Sequence, residues 1–285
     1  MSLGAELTKN FQAEIRKIGA GMVNEKKLFE ALNKAFANSH SLATVRCNVI
    51  HGSRSFVSFN EILGSSFFYS KDHKHTVKCE LADLLIICIN KQEMRICCLQ
   101  NKYEQKATYK KITDSFKVDM RQYYLLNKRP FFQKSGYNNG LLYDAICPSV
   151  GAYGVFYKDV HGYNMNYHSA NVLHERTLGA CGRHRNVLMD SGVGRHAFYT
   201  GSTTVEEWQF AEDLNEFGDA VENMLIGSPF SHAKGLGLIG DFAVLDAVAT
   251  IIDMDMTKKN ELRQSIANSS HSISFRAAVI IRGRD

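Results

Sequence analysis

The chain is poor in proline and has no long apolar stretch, and both absences limit its possible architecture. Three prolines occur in 285 residues, and no Ser/Gly/Pro-rich tract divides the chain. The sequence therefore favours one folded unit over two domains joined by a flexible linker. No run reaches the roughly 18 apolar residues of a membrane-spanning helix, so we expect no membrane partner.

The positions of the cysteines indicate the redox environment. Seven cysteines are present, and Cys88, Cys97 and Cys98 fall inside apolar runs. An odd number of cysteines at such positions is typical of small buried side chains in a reducing compartment. The N-terminal residues lack the apolar core of a signal peptide, so the expected location is the cytoplasm.

Positive charge is in slight excess and is concentrated in one segment. The chain has 34 Lys and Arg against 29 Asp and Glu, a net charge of +5. Between positions 102 and 134 there are nine basic and three acidic residues, a local excess of 9 − 3 = +6. A solvated helix face is the ordinary explanation of such a run. Beside a nucleic-acid site it would instead contact phosphates.

The predicted elements of the first half have the order of a mixed α/β sheet. Apolar spacing and turn residues predict, in chain order, an opening helix over 5–36 that is broken or bent near Gly19 and Gly21, short strands between 44 and 69, paired strands over 81–89 and 94–102, a helix over 108–127 and a strand over 152–157. The strand over 81–89 is almost continuously apolar, as a strand buried on both faces should be.

The second half of the chain has a weaker pattern. Residues 162–201 are rich in Gly, His and Asn, and we expect long loops there. Thr203 and Glu206 form a possible capping box that predicts the start of a helix. A further helix is expected from Asp241, and alternation of apolar residues predicts a closing strand over 273–281.

The turn of the predicted hairpin determines which residues of its two strands oppose each other. If the turn is centred on Lys91 and Gln92, Asp83 lies opposite Gln100. Opposed side chains share one face with Cβ atoms ~5 Å apart, and Lys102, two positions further, joins them. Singly, each is an ordinary polar residue at a strand end. Together, a carboxylate and an amide oxygen can share a divalent cation, and an ammonium can position a water molecule.

The spacing from Asp83 to Gln100-Asn101-Lys102 resembles the motif of the PD-(D/E)xK nuclease superfamily, in the variant with glutamine in place of the second acid. The resemblance covers roughly residues 20–160 and implies a restriction-endonuclease-like fold, with a mixed central sheet flanked by helices. We expect a nuclease core over 1–160 and a C-terminal α/β elaboration over 161–285 that recognises DNA or builds a homodimer. The implied activity is magnesium- or manganese-dependent hydrolysis of phosphodiester bonds by a DNA endonuclease of restriction or phage defence.

The resemblance also implies a role for each matching residue. Asp83 would be the bridging metal ligand, Gln100 a second ligand through its amide oxygen, and Lys102 the residue that positions the attacking water. Several family members place a glutamate on the first helix, and Glu25 is the choice for it here, with Glu30 as the alternative.

Two departures from the family pattern bear on activity. Ala82 stands where a proline often precedes the first acid, and the neutral Gln100 weakens metal affinity. A non-catalytic DNA-binding or assembly protein that keeps the nuclease fold is therefore the alternative hypothesis. Glu80 is a further acidic candidate, but strand alternation places it on the face opposite Asp83 unless a bulge intervenes.

Basic residues of the segment after the motif are the expected phosphate contacts. They are Lys110, Lys111, Lys117 and Arg121. Two other short patterns are set aside. Cys181-Gly-Arg-His184 lacks the second ligand pair of a zinc site, and the glycine run at 235–240 lacks the preceding strand of a dinucleotide-binding loop.

Overall fold

The structure is a computed structural model that describes residues 1–19, 23–39, 44–50, 56–60, 76–89, 93–104, 115–134, 137–139, 141–143, 145–175, 183–188, 195–200, 203–231 and 277–283. Within these residues the helices are Leu3–Ile18 (α1), Glu25–Ala37 (α2), Met120–Lys128 (α3) and Leu214–Glu222 (α4). No helix in this part of the chain is both long and apolar enough to span a membrane.

The strands, in chain order, are Thr44–Ile50 (β1), Phe56–Asn60 (β2), Thr76–Glu80 (β3), Leu84–Ile89 (β4), Glu93–Tyr103 (β5), Ser115–Asp119 (β6), Phe132–Lys134 (β7), Tyr137–Asn139 (β8), Gly151–Asp159 (β9), Gly162–Ser169 (β10), His174–Glu175 (β11), His184–Leu188 (β12), Arg195–Thr200 (β13), Thr203–Trp208 (β14), Phe210–Ala211 (β15), Ser228–Ser231 (β16) and Ala277–Gly283 (β17). The fold is mixed α/β, as predicted.

An eight-stranded mixed sheet forms the centre of the molecule, in the order β1-β17-β4-β5-β9-β10-β15, with β16 also paired to β5. Strand β5 pairs antiparallel with β4 and β16 and parallel with β9. Three smaller sheets have the orders β11-β12-β6, β13-β14 and β3-β2-β7-β8. The long strand β5 is thus held on both sides, which makes it a rigid support for polar side chains.

Apolar side chains cover both faces of this sheet. On β4, Leu85 and Ile87 belong to the cluster that contains α3. The alternate residues Leu84 and Ile86 belong to the cluster that contains α1, α2 and α4. Burial on both faces is the reason that the sequence of this strand is almost continuously apolar.

The opening helix is two helices, with the predicted break at Gly19. Gly19 ends α1 with a φ of +78°, a backbone conformation that glycine adopts without steric cost. The second helix begins after Asn24, whose side chain accepts a hydrogen bond from the Lys27 backbone N–H at 3.0 Å. This cap places Glu25 in the first position of α2.

The predicted hairpin is present with the predicted register. Leu84 pairs with Leu99 and Ile89 pairs with Met94. The first strand is shorter than expected, because β4 begins at Leu84 and the three preceding residues lie outside it, with a bend at Asp83.

The expected helix over 108–127 is correct only from Met120, and residues 105–114 lie outside the described residues. Residues 115–119 form β6, in which Phe116 and Val118 are buried and Lys117 is exposed. This two-residue alternation suits a strand, and pairing with β12 stabilises it. Asp119 caps α3 through the Arg121 backbone N–H at 3.0 Å.

The predicted start of a helix at Thr203 is wrong. Residues 203–208 form β14, and α4 begins at Leu214. The capping box lies further along the chain: Asp213 accepts from the Glu216 backbone N–H at 2.8 Å, and the Glu216 carboxylate accepts from the Glu212 backbone N–H at 2.8 Å.

The loops expected over 162–201 contain strands β10, β12 and β13. Their polar composition conceals strands that are stabilised by pairing with β9, β6 and β14. The predicted closing strand is present as β17, while the helix expected from Asp241 lies outside the described residues.

The division of the chain at residue 160 stays a prediction, and the main sheet extends across it. Strands β10, β15, β16 and β17 come from the later part of the chain and pair within this sheet. Strand β17 lies between β1 and β4, in the interior of the sheet and not at its edge.

Candidate active site

The hairpin brings Asp83 and Gln100 into direct contact. Gln100 Nε2 donates to Asp83 Oδ2 at 2.6 Å, and the Asn101 backbone N–H donates to the same oxygen at 2.7 Å. Asp83 lies in the bend before β4, so its carboxylate reaches the backbone of β5 from the end of the neighbouring strand. The expected juxtaposition of these two side chains is confirmed.

Lys102 and Glu25 meet beside this pair. Lys102 Nζ lies 3.6 Å from Glu25 Oε1, and the other Glu25 oxygen accepts from the Tyr103 backbone N–H at 3.1 Å. The first turn of α2 is thereby tied to the end of β5. Of the two glutamates considered on this helix, Glu25 lines the cleft described next and Glu30 does not.

These residues line one cleft of about 260 Å³. Its lining includes four acidic residues, four basic residues and a histidine, which are Glu25, Glu80, Asp83, Asp119, Lys26, Lys102, Arg121, Arg183 and His184. A second hollow, of about 410 Å³, shares Glu25, Lys102, Asp119 and His184 with the first and adds Lys117. We call the two together the polar cleft.

Gln122 of α3 sets the orientation of the Gln100 amide. Gln122 Nε2 donates to the backbone carbonyl of Glu80 at 3.1 Å and to Gln100 Oε1 at 2.5 Å. A backbone carbonyl can only accept, so Gln122 must present its nitrogen there. Gln100 must then present its oxygen to Gln122 and its nitrogen to Asp83. Both amides are buried, at 5% and 3% exposure.

Asp83 has an altered acidity. Its pKa is raised to about 7, chiefly by burial and secondly by the neighbouring Glu80 charge, which together outweigh the lowering effects of Lys102 and the Asn101 backbone N–H. Carboxyl groups with strongly shifted pKa values cluster at functional sites, although structural networks of charges also shift them. A bound cation would favour the ionised form.

Glu80 lines the same cleft as Asp83, so the expectation that it lies on the opposite face is wrong. Strand β3 ends at Glu80, and the bend that follows breaks the alternation before β4 begins. The two carboxylates are therefore close enough for Glu80 to raise the pKa of Asp83.

The basic residues predicted to contact phosphates have different outcomes. Lys110 and Lys111 lie outside the described residues. Lys117 is exposed on β6 and lines the polar cleft. Arg121 is paired with Asp119 through its Nη2 at 2.8 Å. Phosphate binding by these residues stays a prediction.

Several residues of the cleft were not found from the sequence. Asp119, Gln122 and Arg183 reach it through tertiary contacts and form no motif with Asp83. Asp119 could have been noticed as an N-cap residue before an apolar run. His184 was considered as part of a zinc pattern, and it lines both hollows of the polar cleft.

A magnesium or manganese ion at this site would have the Asp83 carboxylate as its protein ligand, whereas Gln100 in its present orientation offers no oxygen to it. Mg²⁺ retains several waters and is commonly held by one or two carboxylates together with substrate phosphates. The described residues contain no cluster of three or more His, Cys, Asp and Glu arranged to hold a metal. Gln100 turns its nitrogen, not its oxygen, toward Asp83, so its role as a ligand requires the amide to rotate.

Comparison with family models, curated proteins and solved structures finds no match to this chain. The functional argument therefore depends on the residues of the polar cleft and their chemistry.

Proposed function

We propose that the chain is a divalent-metal-dependent DNA endonuclease with a restriction-endonuclease-like core. The observation that carries the proposal is the convergence of Asp83, Gln100, Lys102 and Glu25 in one cleft. These side chains come from a bend, a central strand and a helix N-terminus, and none is needed to complete the apolar core. An acid with a raised pKa beside an ammonium group supports hydrolytic chemistry.

The roles follow from the contacts. Asp83 would hold the cation through its carboxylate, with Gln100 completing the site if its amide turns. A cation bound there would polarise the phosphate and make a bound water more acidic. Lys102 would donate hydrogen bonds to the attacking water, and Glu25, 3.6 Å from the ammonium group, would restrict the position of Lys102.

The remaining cations of the cleft support a polyanionic substrate. Five basic side chains line its two hollows, beside an equal number of carboxylates; the basic residues are Lys26, Lys102, Lys117, Arg121 and Arg183. Phosphate groups of a nucleic acid would be attracted to the most exposed of these cations, such as Arg183 with a side chain that is 60% exposed, in a way that weakens as salt increases.

A cleavage assay tests the proposal. Supercoiled plasmid is incubated with the full chain in Mg²⁺ and in Mn²⁺, with Asp83→Asn and Lys102→Ala as variants. We expect both variants to lose activity by about 100-fold or more, the size typical of losing a group that stabilises charge in the transition state.

The matched control is Lys34→Gln. Lys34 lies in the last turn of α2, about 14 Å along the helix from Glu25, and its side chain is 66% exposed. This variant should cut as the unaltered chain does. Cleavage that persists undiminished in both active-site variants would show that another site, or a contaminant, is responsible.

A second candidate function is DNA binding without cleavage, and the Gln100 amide favours it. This side chain brings no negative charge, and Gln122 holds its oxygen away from Asp83. This second function predicts that the chain binds DNA in a salt-sensitive way. It also predicts that the plasmid assay yields no cleavage product that depends on metal. Detection of product above the Lys102→Ala background rules it out.

A further inference from the structure

The two arginines of the polar cleft share a single carboxylate. Asp119 Oδ1 accepts from the Arg121 backbone N–H at 3.0 Å and from Arg121 Nε at 3.2 Å. Asp119 Oδ2 accepts from Arg121 Nη2 at 2.8 Å and from Arg183 Nε at 2.9 Å. Both carboxylate oxygens therefore have two donors each, and both guanidinium groups are oriented by the same side chain.

The backbone strengthens this arrangement. Arg183 precedes β12, and its carbonyl accepts from the Met120 backbone N–H at 2.8 Å. The next residue, His184, pairs with Asp119 in the ladder between β12 and β6. Arg183 is thus joined to the start of α3 by its main chain as well as by its side chain.

The charges of this cluster do not cancel. The pKa of Asp119 is lowered to about 2, because hydrogen bonds from Arg121 and Arg183 outweigh the effect of burial. One carboxylate therefore faces two guanidinium groups at neutral pH, and one positive charge remains. Among the described residues, the Arg183 side chain donates to Asp119 through Nε, and its Nη groups donate to no other protein atom.

Exposure shows where the excess charge lies. The Asp119 side chain is 17% exposed and that of Arg121 is 24% exposed, whereas that of Arg183 is 60% exposed. The carboxylate is at the base of the cluster, and the guanidinium group of Arg183 is at its opening to solvent. All three residues line the same hollow as Asp83.

We propose that Arg121 and Arg183, oriented by Asp119, form a phosphate-binding subsite in the polar cleft, separate from the centre at Asp83. The planar fork of a guanidinium group matches two phosphate oxygens, and its geometry is most useful when the group is already oriented. Lys102 and Lys117 line the adjoining hollow, together with Glu25, Glu104 and Asp119. Because further cations thus follow the subsite along the cleft, the ligand that we propose is a phosphate of a nucleic-acid backbone and not an isolated anion. The inference deepens the proposed function, since that strand would be its substrate, but binding needs no cleavage.

Binding is measured by fluorescence anisotropy on the full-length chain, with short labelled DNA duplexes in EDTA at several salt concentrations. The Asp83→Asn background prevents cutting. We expect Arg183→Gln to weaken binding about 3- to 10-fold and to reduce the slope of log K against log salt by about 1. The loss should be equal for two duplexes of unrelated sequence, as a phosphate contact requires.

Two further variants make the result decisive. Lys34→Gln removes one charge outside the cleft and should leave affinity and slope unchanged. Arg183→Lys keeps the charge but loses the fork, so its affinity should lie between those of the unaltered chain and Arg183→Gln. Thermal unfolding shows whether Arg183→Gln folds. If it does not, the affinity of Arg183→Lys still tests the subsite.

The subsite is overturned if Arg183→Gln behaves as Lys34→Gln does, or if the chain binds neither duplex. Failure of the nuclease proposal is a separate result. If plasmid is never cut but Arg183→Gln reduces the salt slope, the subsite stands and the chain binds DNA without cleaving it.

Discussion

The Gln100 amide is the single group on which the chemistry of the polar cleft most depends. Its nitrogen faces Asp83 and its oxygen faces Gln122. In this orientation it stabilises the Asp83 carboxylate by hydrogen bonding. With the amide rotated, it would instead offer an oxygen to a cation. In the proposed enzyme, these two orientations would correspond to the metal-free and the metal-bound form.

Gln100→Glu should therefore have opposite effects with and without metal. In EDTA it places a second carboxylate against Asp83 and removes a hydrogen bond, so the melting temperature should fall. In Mn²⁺ it supplies a second charged ligand, so calorimetry should show tighter binding than in the unaltered chain. Gln133→Glu, which adds the same charge at an exposed position of β7, is the control. Unchanged Mn²⁺ affinity in Gln100→Glu would mean that this position does not face the cation.

Gln122→Leu tests whether Gln122 orients the Gln100 amide. The substitution leaves the buried Gln100 oxygen without its donor, which should lower the free energy of unfolding by about 1–3 kcal/mol. The released amide can then turn its oxygen toward Asp83, so Mn²⁺ should raise the melting temperature by more than it does in the unaltered chain. A substitution that only disturbed packing would lower stability but would not increase the effect of Mn²⁺ on the melting temperature. An equal or smaller response to Mn²⁺ would contradict the positioning role.

At the scale of elements, the junction of β6 and α3 explains both an incorrect prediction and part of the site. Tyr123 and the apolar residues before it have helical spacing, which concealed the alternation of Phe116 and Val118. Asp119 ends the strand and caps the helix. The same carboxylate then holds Arg121 and Arg183.

Asp119→Asn separates these functions, because asparagine is also a good N-cap residue. The variant loses the ion pairs, and we expect about 1–3 kcal/mol less stability at neutral pH. The pKa of Asp119 in the folded protein is about 2, below its ordinary value of 3.8. The ionised carboxylate therefore stabilises the fold above about pH 4. This contribution to stability is lost as the pH falls toward 2. Urea unfolding at several pH values should show the two proteins converging in acid. A constant difference would exclude the ion pairs as its cause.

Within the described elements, predictions succeeded where the signal was local. The hairpin register follows from the turn between two apolar runs, and the break at Gly19 follows from glycine itself. The start of α4 was misplaced because Thr203 and Asp213 both begin a capping pattern. Only the pairing of β14 with β13 decides which pattern starts the helix.

At the scale of the whole molecule, the main sheet joins segments from both ends of the chain. Strand β1 pairs in parallel with β17, and β17 pairs with β4. The strand nearest the C-terminus thus separates two strands from the first third of the chain. The proposed nuclease core consequently depends on residues that the sequence pattern assigned to an elaboration.

A chain that ends after residue 160 should therefore not fold on its own. It would lack β10, β15, β16 and β17, and would expose one long side of β4 and part of β5 to solvent. We expect aggregation, or a circular dichroism spectrum without a cooperative thermal transition. A soluble fragment with a sharp transition would show that the first 160 residues form an independent domain.

The sequence by itself determined the features that depend on neighbouring residues: the buried hairpin, its register, the contact of Asp83 with Gln100, and the break of the opening helix at Gly19. Tertiary structure decided which distant groups join them. Gln122 reaches the Glu80 carbonyl across 42 positions, and Arg183 reaches Asp119 across 64. Such contacts leave no periodic trace in the chain, because they are set by how the sheet packs and not by local backbone preference.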